Sequence, residues 1–174
     1  TGKKIDSPES LTNNVILKKG TFRITSYEWG VVYSALLNAY KHTGDNNYVK
    51  YVKDRLEFIA HWAGIFREKL NKGEMTLGAD FPLRQPVAPH ALDDGGAVAA
   101  SMIKASMQGL ATGLDSQIKF YLDYISQKEF RFPDKTIARN RPLKNTLWLD
   151  DLYMALPALA QMAKYTNKNA YFDD

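Results

Sequence analysis

The chain contains no cysteine. Disulfides and thiolate metal sites are therefore closed to it, and the lack of free thiols fits a periplasmic or secreted setting slightly better than a cytoplasmic one. No apolar run approaches the roughly 18 residues that a membrane span requires. Only three histidines occur, far apart at positions 42, 61 and 90, so no imidazole cluster suggests a metal and no cofactor is implied. Basic residues outnumber acidic ones by 23 to 19. They never form a block of five or more, and the clustered footprint of a nucleic-acid binder is missing. The first residue is Thr rather than Met, as expected where a leader has been removed or where the chain is cut from something longer. What remains is a chain of 174 residues, 45% of them hydrophobic, which is enough to bury the core of one folded domain.

Residues 1–25 are polar and irregular and read as a tail. From residue 26 to 174 the pattern is helix after helix. Tyr27–Tyr40 carries a single charge, Glu28. Between Tyr48 and Leu70, apolar Val52, Leu56, Ile59, Trp62 and Phe66 recur at helical spacing with Lys53, Asp54, Arg55, Glu57 and Arg67 between them, the signature of a half-exposed helix. A loop with Gly73, Gly78, Pro82, Pro86 and Pro89 follows. Gly95–Leu110 is again nearly uncharged, and Leu114–Lys128 is again amphipathic. After a second loop, Glu129–Asn145, the stretch Leu152–Ala163 has no charge at all. A helix that is apolar all round must be buried all round. The alternation therefore predicts an all-α, two-layer architecture of helical hairpins, with apolar helices inside and amphipathic ones outside: an α/α toroid.

An internal similarity supports this reading. Tyr40–Tyr48 (YKHTGDNNY) resembles Ala163–Tyr171 (AKYTNKNAY), 123 residues further on, and Ala111–Asp115 stands between them at a matching turn. The spacing implies a hairpin of about 60 residues. Three such units fall short of a closed ring, so the expectation is about the first half of a barrel, with an open side able to self-associate.

In such a ring the inner helices run parallel, and their N-termini share one rim. Tyr27-Glu28-Trp29, His90-Ala91-Leu92-Asp93-Asp94 and Trp148-Leu149-Asp150-Asp151 all lie at inner-helix starts. An Asp at a helix start is ordinarily a cap or a dipole partner. Two Asp-Asp pairs, each followed by an apolar run, point instead to an acid–base site. Neighbouring residues on a helix point about 100° apart, so Asp150 and Asp151 cannot both face the cavity. Leu149, Leu152, Leu156, Leu159 and Ala163 form one stripe, while Asp150, Tyr153, Pro157 and Gln161 fall on another. Trp29 and Trp148 are either core residues or a sugar-stacking surface. Arg139 and Arg141 are either solvated loop charges or a planar fork for a substrate carboxylate. His42 and His61 fall on a turn and on an outer helix, which leaves His90 as the histidine of interest.

Leu92-Asp93-Asp94-Gly95-Gly96-Ala97, together with Arg139-Asn140-Arg141-Pro142 and Thr146-Leu147-Trp148-Leu149-Asp150-Asp151-Leu152-Tyr153-Met154, resembles the unsaturated glycuronyl hydrolases. The similarity is closer to their unsaturated rhamnogalacturonyl branch, glycosyl hydrolase families 88 and 105, and runs from about residue 29 to the end. The resemblance implies an (α/α)6 barrel and a substrate that is an oligosaccharide ending in a 4,5-unsaturated uronic acid, as in pectin degradation. It implies hydration of the C4=C5 vinyl ether, with Asp150 as general acid/base and Asp94 as its partner. Trp148 would stack on the sugar ring, and Arg139 or Arg141 would meet the uronate. From their places in the sequence, Trp29, His90, Asp93, Asp151 and Tyr153 are further substrate-binding candidates.

The general acid must hold a proton near neutral pH. Burial and a second carboxylate raise a carboxyl pKa, while a helix N-terminus lowers it. In a half-ring open to water the raising effects weaken, and this chain alone is then expected to turn over poorly. Two other readings remain open at this level. One is another toroid enzyme such as an epimerase or lyase, which a rim poor in histidine disfavours. The other is a non-enzymatic helical-repeat binding module, which has no need of repeated Asp pairs.

Overall fold

A computed structural model of the chain describes Ser7 and residues 23–174. The expected tail therefore lies almost wholly outside the described residues. The elements in order are α1 (Tyr27–Thr43), α2 (Asn46–Asn71), a single turn α3 (Arg84–Val87), α4 (Leu92–Met107), α5 (Asp115–Gln127), α6 (Leu149–Thr166) and a 3-10 turn at Asn169–Tyr171. The described residues contain no β-strand; two isolated bridges, Arg131 to Ile137 and Arg139 to Thr146, pin the loop before α6. The fold is all-helical, an arc of an α/α toroid. No described helix is long and apolar enough to cross a membrane.

The hairpin turns follow from local chemistry. α1 ends at Gly44 with φ 71° and α6 ends at Asn167 with φ 54°, and each donates its N–H back four residues, to Tyr40 and Ala163. Both are left-handed closures, where glycine has no Cβ to clash and asparagine is tolerated. They are the two turns paired in sequence by the internal similarity. Asp45 then caps α2 by accepting from the Asn47 N–H at 2.9 Å, an ordinary N-terminal signal.

α1, α4 and α6 form the inner row with α4 in the middle, while α2 and α5 lie behind them. Twelve residues of α4 are buried, from Leu92 to Ala105. The expectation that apolar helices are buried all round holds for α4 but not for its neighbours. α1 buries only Gly30, Tyr33 and Leu37 and leaves Val31 and Val32 exposed. α6 leaves Leu149, Tyr153 and Leu156 exposed. The physical reason is position: α4 has a helix on either side, whereas each edge helix has one.

Close approach of the inner helices decides which residues are buried. A Cβ on Gly30 would lie 2.5 Å from the Ala97 backbone, and one on Gly96 would lie 2.6 Å from the Met154 carbonyl oxygen. The buried face of α6 is therefore built from small residues, Ala155, Ala158 and Ala163 with Leu159, and the leucine stripe read from the sequence splits between core and solvent. The first loop also departs from expectation, since α3 forms within it. Its Gln85, Pro86 and Val87 are buried, because Arg67 of α2 and Gln117 of α5 reach under it. Arg67 donates to the Pro86 carbonyl at 2.7 Å and to Gln117 Oε1 at 2.5 Å, and Gln117 donates to the same carbonyl at 3.0 Å.

Candidate active site

The starts of α1, α4 and α6 meet at one rim. The route into α4 is set by Gln85. Its amide donates to the Ala91 carbonyl at 2.6 Å and accepts from the His90 N–H at 3.2 Å. With only 4% of its surface exposed, Gln85 locks the loop that delivers Asp93 and Asp94. Glycines follow at 95 and 96, where Gly96 faces the α6 backbone.

Asp94 points down into the junction of α4 and α1 and is 5% exposed. Ser26 precedes α1 without a side-chain capping bond. Asp94 Oδ1 supplies that acceptor instead, taking the Tyr27 N–H at 2.8 Å. Its other oxygen lies 3.8 Å from the Arg23 guanidinium. Burial pushes the Asp94 carboxyl above the usual aspartate range, against the pull of the Tyr27 bond and of Arg23, and Asp93 adds to the rise.

The start of α6 is arranged around Arg139. The Arg139 and Thr146 backbones exchange hydrogen bonds of 2.9 and 3.1 Å, which holds the loop against the helix. The Arg139 guanidinium donates to Asp151 Oδ1, lies 3.5 Å from Asp93 Oδ2, and sits 4.2 Å from the centre of the Trp148 ring. Trp148 also donates from Nε1 to Thr146 Oγ1 at 3.1 Å. Asp151 is 2% exposed, and its Oδ2 is buried with no partner among the described residues. Burial pushes the Asp151 carboxyl up, and its bond to Arg139 only partly reverses this.

Asp150 is exposed and points about 100° away from the buried Asp151. Together with Asp93 it acts on the charge of Tyr27, Arg139 and Asp151. Asp93 thus reaches the start of α6 through Arg139, while Asp94 meets the same group of residues through the Tyr27 N–H. Trp148 is 37% exposed, and Tyr153, five residues on, faces solvent. His90 is half-buried. Burial lowers its pKa, and so do the nearby Arg84, Arg141 and Arg23 charges, although its Nδ1 contact with the Ala88 carbonyl at 3.1 Å acts the other way. Arg141 is exposed. Trp29 stands apart from this cluster, with its ring 6.1 Å from Tyr51 of α2 in a stacked arrangement and 5.7 Å from Tyr33.

The structure therefore brings Asp93, Asp94, Asp150, Asp151, Arg139, Trp148 and His90 to one rim. Three residues there were not singled out from sequence as part of the site. Tyr27 and Arg23 lie next to Asp94, and Gln85 lies beneath His90. The Tyr27-Glu28-Trp29 cluster at a helix start was a usable signal for Tyr27; a glutamine between Arg84 and Pro86 gave none. No group of three or more His, Cys, Asp or Glu placed to hold a metal occurs among the described residues. The rim offers an exposed carboxyl two residues from an exposed indole on the chain, with further carboxylates at the start of α4, a set of groups that suits proton transfer to a sugar stacked on a flat apolar face. Residues 7–174 match the family model described as Glycosyl Hydrolase Family 88. No curated protein matches the chain.

Proposed function

The chain belongs to glycosyl hydrolase family 88 and is a glycoside hydrolase, and from that premise we propose that it hydrates the C4=C5 vinyl ether of an unsaturated uronyl residue at the end of a rhamnogalacturonan-type oligosaccharide. Asp150 donates a proton to C4. Water adds at C5 and gives its proton back to the Asp150 carboxylate, and the resulting hemiketal opens by breaking the bond between C5 and the ring oxygen. The freed oxygen leaves a hemiacetal at C1, which expels the neighbouring sugar. The second carboxylate comes from the Asp93–Asp94 pair at the start of α4. Asp94 lies deep at the junction of α4 and α1, and Asp93 shares Tyr27 and Arg139 with Asp150.

The observation that supports this reading most is the pairing of an exposed Asp150 with an exposed Trp148 ring at a rim crowded by carboxylates. The Trp148 face turned away from Arg139 suits the apolar face of a sugar. Exposed Arg141, with Arg84 near His90, supplies positive charge for the uronate. A binding module, an epimerase or a lyase is not favoured for a member of this hydrolase family.

The test is loss of the ultraviolet absorbance of the C4=C5 bond in an unsaturated rhamnogalacturonan disaccharide. Asp150→Asn removes the proton donor while keeping its size. It is expected to lower kcat at least about 100-fold, within the range that general acid catalysis contributes. Asp93→Asn and Asp94→Asn, compared side by side, identify the partner. Equal rates for the wild type and Asp150→Asn would remove the reading.

A further inference from the structure

We propose that Arg139 is a positioning residue, anchored by the buried Asp151, and that the pair sets the Trp148 ring, the Asp93 carboxylate and the outward direction of Asp150 without either residue touching the substrate. The kinetic part of this inference rests on the hydrolase reading above; the structural part does not.

Arg139 already spends one guanidinium nitrogen, Nη2, on two carboxylates and packs its plane against a ring. Its guanidinium faces Asp151 and Asp93, and one flat side covers Trp148 at 4.2 Å. Its side chain is only 13% exposed. A substrate carboxylate arriving there would also meet the charges of Asp93 and Asp150, which repel it. Arg139 is thus poorly placed as the uronate ligand and well placed as a strut between the starts of α4 and α6.

Asp151 explains why the strut exists. A buried carboxylate is costly unless a cation answers it, and a buried ion pair is seldom a net gain over an apolar pair of the same volume. Here the second oxygen of Asp151 is unsatisfied among the described residues, so the pair is an inefficient way to hold the fold together. Its advantage is register. With Asp151 fixed inward, helix geometry turns Asp150 outward by about 100°. With the planar guanidinium fixed, one face of the Trp148 indole is occupied and the other is presented to the rim.

The test uses the full chain with Arg139→Gln, Arg139→Lys and Asp151→Asn. The first readout is acrylamide quenching of tryptophan emission, with Trp148→Phe as the background that isolates Trp148. Arg139→Gln is expected to make Trp148 more quenchable, and the change should vanish in the Trp148→Phe background. Arg139→Lys retains the charge but not the planar fork, and should fall between. The second readout is the split between kcat and KM on the unsaturated disaccharide. Misplacement of the reacting groups predicts a fall in kcat of about 100-fold with KM nearly unchanged. Should the single variants fail to fold, as judged by circular dichroism, the double variant Arg139→Met with Asp151→Leu leaves no buried charge unanswered. It is expected to fold, to release Trp148 and to remain impaired in kcat. A rise in KM at constant kcat in Arg139→Gln would make Arg139 a substrate ligand and overturn the proposal, as would unchanged quenching of Trp148. A wild type that does not turn over the disaccharide would refute the vinyl-ether hydration reading while the quenching result still decides the positioning one.

Discussion

Replacing Gly96 with alanine tests whether the spacing of the inner helices is set by backbone contact. The added Cβ would lie 2.6 Å from the Met154 carbonyl oxygen, 2.7 Å from its carbonyl carbon and 2.8 Å from the Ala155 Cα. All three neighbours are backbone, so no side chain can swing aside and α4 must move away from α6. Two effects oppose each other. Alanine is favoured over glycine inside a helix by about 1 kcal/mol, because the unfolded chain has less freedom to lose. Forcing a methyl group into a filled contact costs about 1–3 kcal/mol. The net for Gly96→Ala is a loss of up to about 2 kcal/mol. Gly64→Ala in the interior of α2 is the control, since a Cβ there meets nothing within 4 Å. It should gain up to about 1 kcal/mol from propensity alone. For a chain of this size the two variants should differ in Tm by about 5–10 °C, readable by circular dichroism. Gly96→Ala should also lower turnover, since α4 carries Asp93 and Asp94 while α6 carries Asp150. A Gly96→Ala variant as stable as Gly64→Ala would show that the helices can slide apart freely and would refute the close-contact argument.

Two further outcomes follow from the same geometry. The folded state holds the Asp94 carboxyl above the ordinary aspartate range through burial. Its stabilising contribution is therefore fully present at pH below that ordinary range and is lost as pH rises through the raised value. Asp94→Asn, which keeps an acceptor for the Tyr27 N–H, should show a flatter fall of Tm with rising pH than the wild type, and parallel curves would discount the burial of Asp94. At the other end of the first hairpin, Asp45→Ala removes the acceptor for the Asn47 N–H and should cost about 1 kcal/mol. Thermal unfolding checks this, and activity at saturating substrate should be unaffected because the turn lies at the opposite end of α1 from the rim.

Much of the fold was legible because it depends on local pattern. Alternation of uncharged and amphipathic helices gave the two layers, and the Gly44 and Asn167 turns gave the repeat. The burial of individual faces was less legible. Leu149 and Leu156 look like core residues by hydropathy, yet they are exposed, while Ala155 and Ala158 are fully buried. Hydropathy ranks side chains by size and polarity, but a tight helix crossing selects small ones. Pro82, Pro86 and Pro89 signal a break and predict loop where α3 forms, and only the Arg67–Gln117 support beneath it reveals why the chain turns there.

The candidate site divides in the same way. The presence of acid pairs and aromatics at the starts of inner helices follows from the sequence, because helical periodicity fixes where those starts fall. It also bars Asp150 and Asp151 from facing one cavity together, so that only one can. Which one does so is decided by the position of Arg139, twelve residues before Asp151 and across a loop. Likewise the sequence places Asp94 at the start of α4, but only packing against α1 makes it the acceptor for the Tyr27 amide, 67 residues away in the chain. Periodicity is a property of neighbours along the chain and can be read there. Ion pairing and burial depend on which distant segments come within a few ångströms, and that is settled only when the helices pack.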